Sequence, residues 1–320
     1  MSLSFYLPHK KTLFFGKILK VGDILPMIPK LQIFPDTQKS KEDLDKFHES
    51  KLNEHTSLML GIARKSARGF EVSFEKDPDG KDAYRVRFLT PSTVDDWKIG
   101  LSFIKELATK LKVKIISEYG ESYTAETIES YPYEKDILFG ISSYFAPSVD
   151  SQTGKPLESN ISTYTIPGLY RTAIINRETQ KKWLDSPSPV DEFSKFYTKV
   201  QKETAYPAVQ KFYRMKADNS LIGVYQLLES VDTVLPFEPF VEFENMHIAK
   251  NKDVKEWKLR LVCHEGDPDD FDAYSELEIV DYREFMKHLP KDCYEFIDAA
   301  YIVVFEMTKQ QILDILEKMK

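Results

Sequence analysis

The chain has 320 residues, 42% of them hydrophobic, and its 44 Lys and Arg against 51 Asp and Glu give a net charge of -7. This length suits two hydrophobic cores better than one, because single cores rarely grow beyond ~250–300 residues. The acidic balance argues against nucleic-acid binding, since no basic stretch offsets it. A membrane span is not expected either, because no run of ~18–20 uncharged apolar residues occurs.

The two cysteines, Cys263 and Cys293, are too few to frame a disulfide-rich secreted domain. The first fifteen residues also lack the continuous apolar segment of a signal peptide. We therefore expect a cytoplasmic protein, and the sequence leaves open whether it is a monomer or a homodimer.

The N-terminal part predicts strands, one surface helix and a hairpin. Residues 4–7 and 12–15 are typical of short strands, whereas 39–53 is charge-dense with sparse apolar positions, which predicts a helix on the surface. Alternating segments at 70–75 and 84–88 flank an Asp-Pro-Asp-Gly turn, and this pattern predicts a hairpin.

The clearest helix follows this hairpin. Ser92 and Thr93 supply the predicted N-cap, and Asp95 and Asp96 supply the first-turn carboxylates. Apolar residues then recur at helical spacing from Trp97 onward. A strand at 113–116 and a short helix capped by Thr124 complete the pattern.

The same order of hairpin, helix, strand and Thr-capped helix recurs at 255–319. Asp281 caps the second predicted helix, residues 301–305 predict a strand, and Thr308 caps the last helix. Thr124 and Thr308 have similar apolar neighbours, as in a hydrophobic staple. Shared capping rules explain this similarity more simply than an internal duplication, which stays open.

The middle of the chain is the least regular part. Prolines and glycines punctuate residues 143–202, where we predict a strand at 169–175 and a helix at 191–200. Beyond it, a hairpin is predicted at 209–227 and a strand at 240–243.

Most predicted strands are joined by turns, which favours antiparallel or mixed sheets over a doubly wound fold. We therefore predict an α+β fold of two subdomains with flanking helices. The N-terminal subdomain is expected at 1–145, an irregular connector at 146–205 and the C-terminal subdomain at 206–320.

Four carboxylates are candidate ligands for a divalent cation. Asp267, Asp269, Asp270 and Asp272 lie in one short segment, and magnesium or calcium prefers several oxygen ligands from such a loop. The spacing differs from that of an EF-hand, however, so an exposed polar loop is the favoured interpretation.

Histidines and cysteines give no clear active site. His48 and His55 would share one side of a continuous helix, but their spacing is not that of a metal site, which favours a charged surface helix. Cys263 and His264 are adjacent in a predicted strand and therefore point to opposite faces. Cys293 follows His288 by five residues, and a structural cysteine is the simpler interpretation.

A cluster of aromatic residues between 206 and 243 surrounds Arg214. Tyr213, Arg214 and Tyr225 are candidate residues of a protein interface, because Tyr and Arg are enriched there. Alternating aromatic residues in strands are more often plain core.

Phosphate-binding glycine motifs and a Gly-x-Ser-x-Gly motif are absent, so no cofactor is predicted. Residues 231–245, 289–301 and the helix that begins near Asp96 and Trp97 resemble an uncharacterised family from Gram-positive bacteria, domain of unknown function 4299. The resemblance covers nearly the whole chain and implies a bacterial cytosolic origin. It carries no activity or catalytic residues.

The leading hypothesis is a non-catalytic interaction or regulatory protein that binds a protein partner. It follows from the acidic composition and the missing active-site motifs. The alternative is a metal-dependent hydrolase that uses the Asp267 to Asp272 cluster.

Overall fold

The structure, a computed structural model, describes residues 2–10, 16–35, 41–146, 162–266 and 273–320. The chain divides into two compact units, Met1–Lys202 and Glu203–Lys320. The predicted connector covers residues 146–205. Its described residues up to 202 belong to the first unit. Both units combine helices and strands, which confirms the α+β fold class.

An antiparallel sheet forms the centre of the first unit. Its strands are β1 Ser2–Pro8, β2 Leu31–Phe34, β3 Leu58–Ile62, β4 Phe70–Lys76, β5 Asp82–Leu89, β6 Ile115–Ser117 and β7 Ser122–Tyr123. They lie in the order β2-β3-β4-β5-β1-β6-β7. The predicted hairpin is confirmed, because β4 and β5 pair in antiparallel register with Val72 opposite Val86.

Helix α3 (Val94–Leu111) packs on this sheet through its apolar side. The Trp97 ring stacks on Phe88 of β5, with ring centroids 4.0 Å apart and an interplanar angle of 9°. Gly100 faces the same ring, and a Cβ at this position would lie 2.4 Å from Phe88 Cε1. The glycine therefore lets the helix approach the sheet closely.

The N-terminus of α3 is fixed by the buried carboxylate of Asp96. Its Oδ1 accepts hydrogen bonds from the amides of Ala67 (3.0 Å) and Gly69 (2.9 Å). Its Oδ2 accepts from the Arg68 amide at 3.0 Å, from the Thr93 amide at 3.1 Å and from Thr93 Oγ1 at 2.8 Å. Burial raises the pKa of Asp96, and these hydrogen bonds oppose the rise. One carboxylate thus joins the loop before β4 to the helix.

The remaining elements of the first unit are mostly helical. They are α1 Val21–Ile24, α2 Lys41–Glu49, α4 Tyr133–Ser143, α5 Arg177–Leu184, α6 Pro189–Lys202 and a hairpin of β8 Thr163–Ile166 with β9 Ala173–Asn176. The side chain of Arg68 links this part to the sheet, since its Nε donates to Pro167 O at 3.0 Å and its Nη1 to Pro91 O at 2.7 Å.

The described residues of the second unit form two sheets and two α-helices. Its elements are β10 Tyr206–Pro207, β11 Lys211–Arg214, β12 Leu221–Leu228, β13 Thr233–Pro236, β14 Val254–His264, β15 Tyr274–Asp281, α7 Tyr282–His288, β16 Tyr294–Phe296, β17 Tyr301–Val304 and α8 Lys309–Lys318. The strand orders are β11-β12-β14-β15 and β10-β13-β17-β16. Both sheets are mixed, because β12 pairs with β14, and β10 with β13, in parallel.

An aromatic row fills the core under the first of these sheets. Gly223 of β12 pairs with Phe212 on one side and Trp257 on the other. A Cβ on Gly223 would lie 2.2 Å from Trp257 Cζ3, so the Trp257 ring lies flat against the glycine. Tyr225, fully buried, stacks on the same indole with ring centroids 5.7 Å apart.

The order of hairpin, helix, strand and final helical turn recurs along the chain, with different connections in space. In the first unit, β6 joins the same sheet as the β4-β5 hairpin. In the second unit, β17 joins a different sheet from the β14-β15 hairpin. The caps at Asp281 and Thr308 are confirmed, because each side chain accepts a hydrogen bond from the amide three residues later.

Two predicted elements are wrong. No α-helix begins at Thr124, where a turn leads into a 3-10 turn at Ile128–Ser130. The predicted strand at 240–243 is irregular backbone followed by a 3-10 turn at Phe243–Asn245. The predicted strand at 12–15 lies outside the described residues. Among the helices that are described, none has the length and apolar character needed to cross a membrane.

Candidate protein-binding surface

A loop in the second unit, residues 240–248, is held by the side chain of Gln210. Its Nε2 donates to Phe240 O at 2.7 Å and to Tyr225 Oη at 2.6 Å. Its Oε1 accepts from the Glu242 amide at 3.2 Å and from Asn245 Nδ2 at 2.9 Å. The amide thereby uses its full set of two donors and two acceptor positions. We call residues 240–248 the anchored loop.

Further hydrogen bonds fix the backbone of the anchored loop. The Tyr225 hydroxyl donates to Phe240 O at 2.7 Å, and burial raises the pKa of this hydroxyl, so it stays a neutral donor. The Val241 amide donates to Asn251 Oδ1 at 2.5 Å, and the Ile248 amide donates to Asn245 O at 2.8 Å. The loop therefore has a defined conformation without being a strand or an α-helix.

The anchored loop presents large apolar side chains to solvent. Phe243 is 71% exposed, and Met246 and Ile248 are each 53% exposed. Three such residues within six positions form a local apolar patch, and exposed apolar patches commonly mark interaction sites. Val209, which precedes Gln210 in the chain, is also 41% exposed.

Strand β11 leads away from Gln210 and carries two of the predicted interface residues. Tyr213 and Arg214 are both exposed. Arg260 holds the Tyr213 ring, because its guanidinium carbon lies 6.0 Å from the ring centroid and its Nη2 donates to the hydroxyl at 3.3 Å. Glu276 in turn lies 3.0 Å from Arg260 Nε.

The third predicted interface residue does not lie at the surface. Tyr225 is fully buried, because its side chain lies on the inner face of β12 and packs against Trp257 and Tyr282. It supports the surface from below through its bond to the anchored loop. Sequence reasoning missed Gln210 and Asn251. Single polar residues beside strands give no pattern that distinguishes a residue that anchors a loop from an ordinary loop residue.

A family model matches residues 2–315, nearly the entire chain. The chain belongs to the DUF4299 family. The family is described as a domain of unknown function. Comparison with curated proteins and with solved structures gave no match.

In this DUF4299 protein, the Cys263 thiol is held in its protonated form. Glu229 accepts hydrogen bonds from the amides of His264 (3.1 Å) and Lys309 (2.8 Å). Burial and the adjacent Glu229 carboxylate raise the pKa of Cys263 to about 11. A thiol with this pKa is a poor nucleophile at neutral pH.

The structure gives local surroundings for the other cysteine and for three of the histidines. Burial raises the pKa of Cys293, and His288 Nδ1 lies 2.9 Å from the backbone oxygen of Glu284. His48 and His55 do not share one helix, because α2 ends at Glu49. His55 Nε2 instead lies 2.7 Å from Ser50 Oγ.

The predicted cation ligands Asp267, Asp269, Asp270 and Asp272 lie outside the described residues. The cation site therefore stays a prediction. In the part of the chain that the structure describes, no three His, Cys, Asp or Glu residues are grouped so that they could hold a metal ion.

A shallow groove of about 590 Å³ lies in the first unit beside the C-terminal end of α3. Lys10, Lys112 and Lys114 are among its lining residues, together with Glu126. Lys10 Nζ donates to Lys112 O at 2.8 Å, so this lysine closes the end of the helix. Structural capping explains the position of Lys10.

Proposed function

We propose that this protein is a non-catalytic binding protein that recognises a protein partner through its C-terminal unit. The contact surface is the anchored loop together with Tyr213 and Arg214 of β11. The bacterial cytoplasm is the proposed location, and the free thiols of both cysteines suit a reducing compartment.

One observation carries this proposal: exposed apolar side chains project from a loop whose backbone is fixed by partly buried hydrogen bonds. Full burial of a large apolar side chain contributes about 2 kcal/mol, so the exposed fractions of Phe243, Met246 and Ile248 together offer on the order of 3–4 kcal/mol. Because Gln210 already orders the loop, a partner spends less free energy on immobilising it. Such preorganised apolar anchors are typical of interface hot spots.

The chemistry of the cysteines supports a binding role. Burial raises the pKa of both thiols, so neither is poised as a thiolate nucleophile.

Pull-down from a lysate of the source organism tests the proposal when the full-length protein is compared with the triple variant Phe243→Ser, Met246→Ser and Ile248→Ser. We expect the wild type to retain one stoichiometric partner that the variant loses. A matched control replaces exposed apolar residues of the first unit, Leu138→Ser and Phe139→Ser, which are 42% and 61% exposed. A partner retained by the triple variant, or lost equally by the control, would contradict the proposal.

Titration calorimetry with magnesium, calcium and manganese separates this proposal from a metal-dependent hydrolase. We expect no tight saturable binding to the full-length protein. Tight binding that disappears in the double variant Asp269→Ala and Asp270→Ala would favour the hydrolase instead.

A further inference from the structure

We propose that the free edge of β11 binds an extended acidic segment of a partner protein as an additional strand. This inference rests on the proposed function and assigns the chemistry of the partner. Three observations carry it: the direction of the β11 backbone groups, the charges along the strand and the position of the strand in its sheet.

The hairpin turn sets the direction of the backbone groups in β11. The Met215 amide donates to Ser220 O at 2.9 Å, so these two residues form a hydrogen-bonded pair. In an antiparallel ladder, hydrogen-bonded and non-hydrogen-bonded pairs alternate. Tyr213 and Lys211, opposite Ile222 and Val224, therefore also direct their amides and carbonyls toward β12.

Phe212 and Arg214 consequently direct their backbone groups away from β12. β11 is the outermost strand of its sheet, and among the described residues it pairs only with β12. Two amides and two carbonyls thus stand at an open edge, which is the template for strand addition. The Phe212 side chain is held by the core, because its ring lies 6.2 Å from that of Trp257.

The charges along this edge are positive and available. Within the described parts of the chain, no carboxylate lies within salt-bridge distance of Lys211, Arg214 or Lys216. The neighbouring Lys255 is different, since its Nζ contacts Asp218 at 2.8 Å. An incoming strand with Asp or Glu opposite Lys211 and Arg214 would gain favourable cross-strand pairs.

The same charges disfavour a second copy of this chain. Pairing two β11 edges would bring both sets of Lys211, Arg214 and Lys216 together, and like charges across an edge oppose association. A positive edge therefore discourages self-association while it selects an acidic strand.

A random heptapeptide display library panned on the full-length protein tests the inference. We expect selected peptides to carry Asp or Glu at two positions three residues apart, opposite Lys211 and Arg214, with β-branched residues between them. Arg214→Ala keeps the outward amide and loses the charge, whereas Arg214→Pro loses both. Because edge strands tolerate proline where the amide faces outward, Arg214→Pro folds and binds at least about tenfold more weakly than Arg214→Ala.

Amide hydrogen exchange supplies the second readout. The selected peptide should slow exchange at Phe212 and Arg214, while Tyr213 is already protected in the free protein. No selected peptide, no enrichment of acidic residues, or equal binding by Arg214→Ala and Arg214→Pro would overturn the inference.

The two proposals fail in different ways. A partner protein lost by the triple variant of the anchored loop and kept by Arg214→Pro overturns the edge inference and supports the role of the anchored loop. A partner kept by the loop variant and lost by Arg214→Pro supports the edge and overturns the role of the loop.

Discussion

Replacing Asp96 with Asn should strongly destabilise the first unit. The Asp96 carboxylate accepts five hydrogen bonds, from the amides of residues 67, 68, 69 and 93 and from the Thr93 hydroxyl. An asparagine keeps one acceptor oxygen. Its amide nitrogen would then face buried donors that it cannot satisfy.

The magnitude follows from the distribution of these bonds. Oδ2 accepts three of the five, so an Nδ2 at that position loses three hydrogen bonds to a charged acceptor. A hydrogen bond to a charged group contributes about 1.5–3 kcal/mol, and such losses within one network are not fully additive. We therefore expect Asp96→Asn to lower the free energy of unfolding by about 4 kcal/mol.

Urea titration followed by far-UV circular dichroism, with amide hydrogen exchange of residues 94–111, measures this loss. Asp95→Asn is the matched control, because it removes the same charge from the same helix turn and should cost only about 0.3–1 kcal/mol. Equal loss of stability in the two variants would refute the network role of Asp96.

Three further predictions concern the second unit. Gly223→Ala should lower its stability by about 2 kcal/mol, because the new Cβ displaces the Trp257 ring; an unchanged urea midpoint and tryptophan fluorescence would contradict this. For Glu229, burial raises the pKa but hydrogen bonds from Lys309 and His264 outweigh it, and the pKa is lowered. The wild type should therefore be more stable than Glu229→Gln by the full difference at pH 7, and this difference should shrink below about pH 4.3. Urea titrations across pH measure the difference. A value that does not change with pH would argue that ionised Glu229 does not stabilise the fold. In Ellman's assay at pH 8, Cys263 should react only after unfolding, and fast reaction in the native Cys293→Ser variant would show an accessible thiolate.

Local patterns predict much of the fold. The β4-β5 hairpin, α3 with its cap at Thr93 and the β14-β15 hairpin have strong periodicity or capping signals, and all of them form. Helix α4 was missed, because its exposed Leu138 and Phe139 interrupt the apolar stripe of Ile137 and Ile141. Sheet assignment is a further limit, since hydrophobic alternation does not specify which strands pair over long sequence distances.

The candidate surface could be predicted only in part. Tyr213 and Arg214 are exposed, whereas Tyr225 is buried, and strand alternation alone does not say which face is covered. The sequence predicts a strand at the start of the anchored loop, residues 240–243, because Phe240 and Val241 are apolar and β-prone. Its conformation depends instead on Gln210 and Asn251, whose hydrogen bonds arise only in the folded unit.

The parallel pairing of β12 with β14 has a kinetic consequence. Parallel neighbours require a crossover connection, and here residues 229–253 make it, placing β13 in the other sheet on the way. The anchored loop is part of this crossover, so it reaches its final shape only after contacts distant in sequence have formed. Such contacts form slowly, because the chain loses the conformational entropy of loop closure before the contacts can stabilise it. A newly synthesised chain would therefore form the proposed binding surface late in folding, after the rest of the unit is in place.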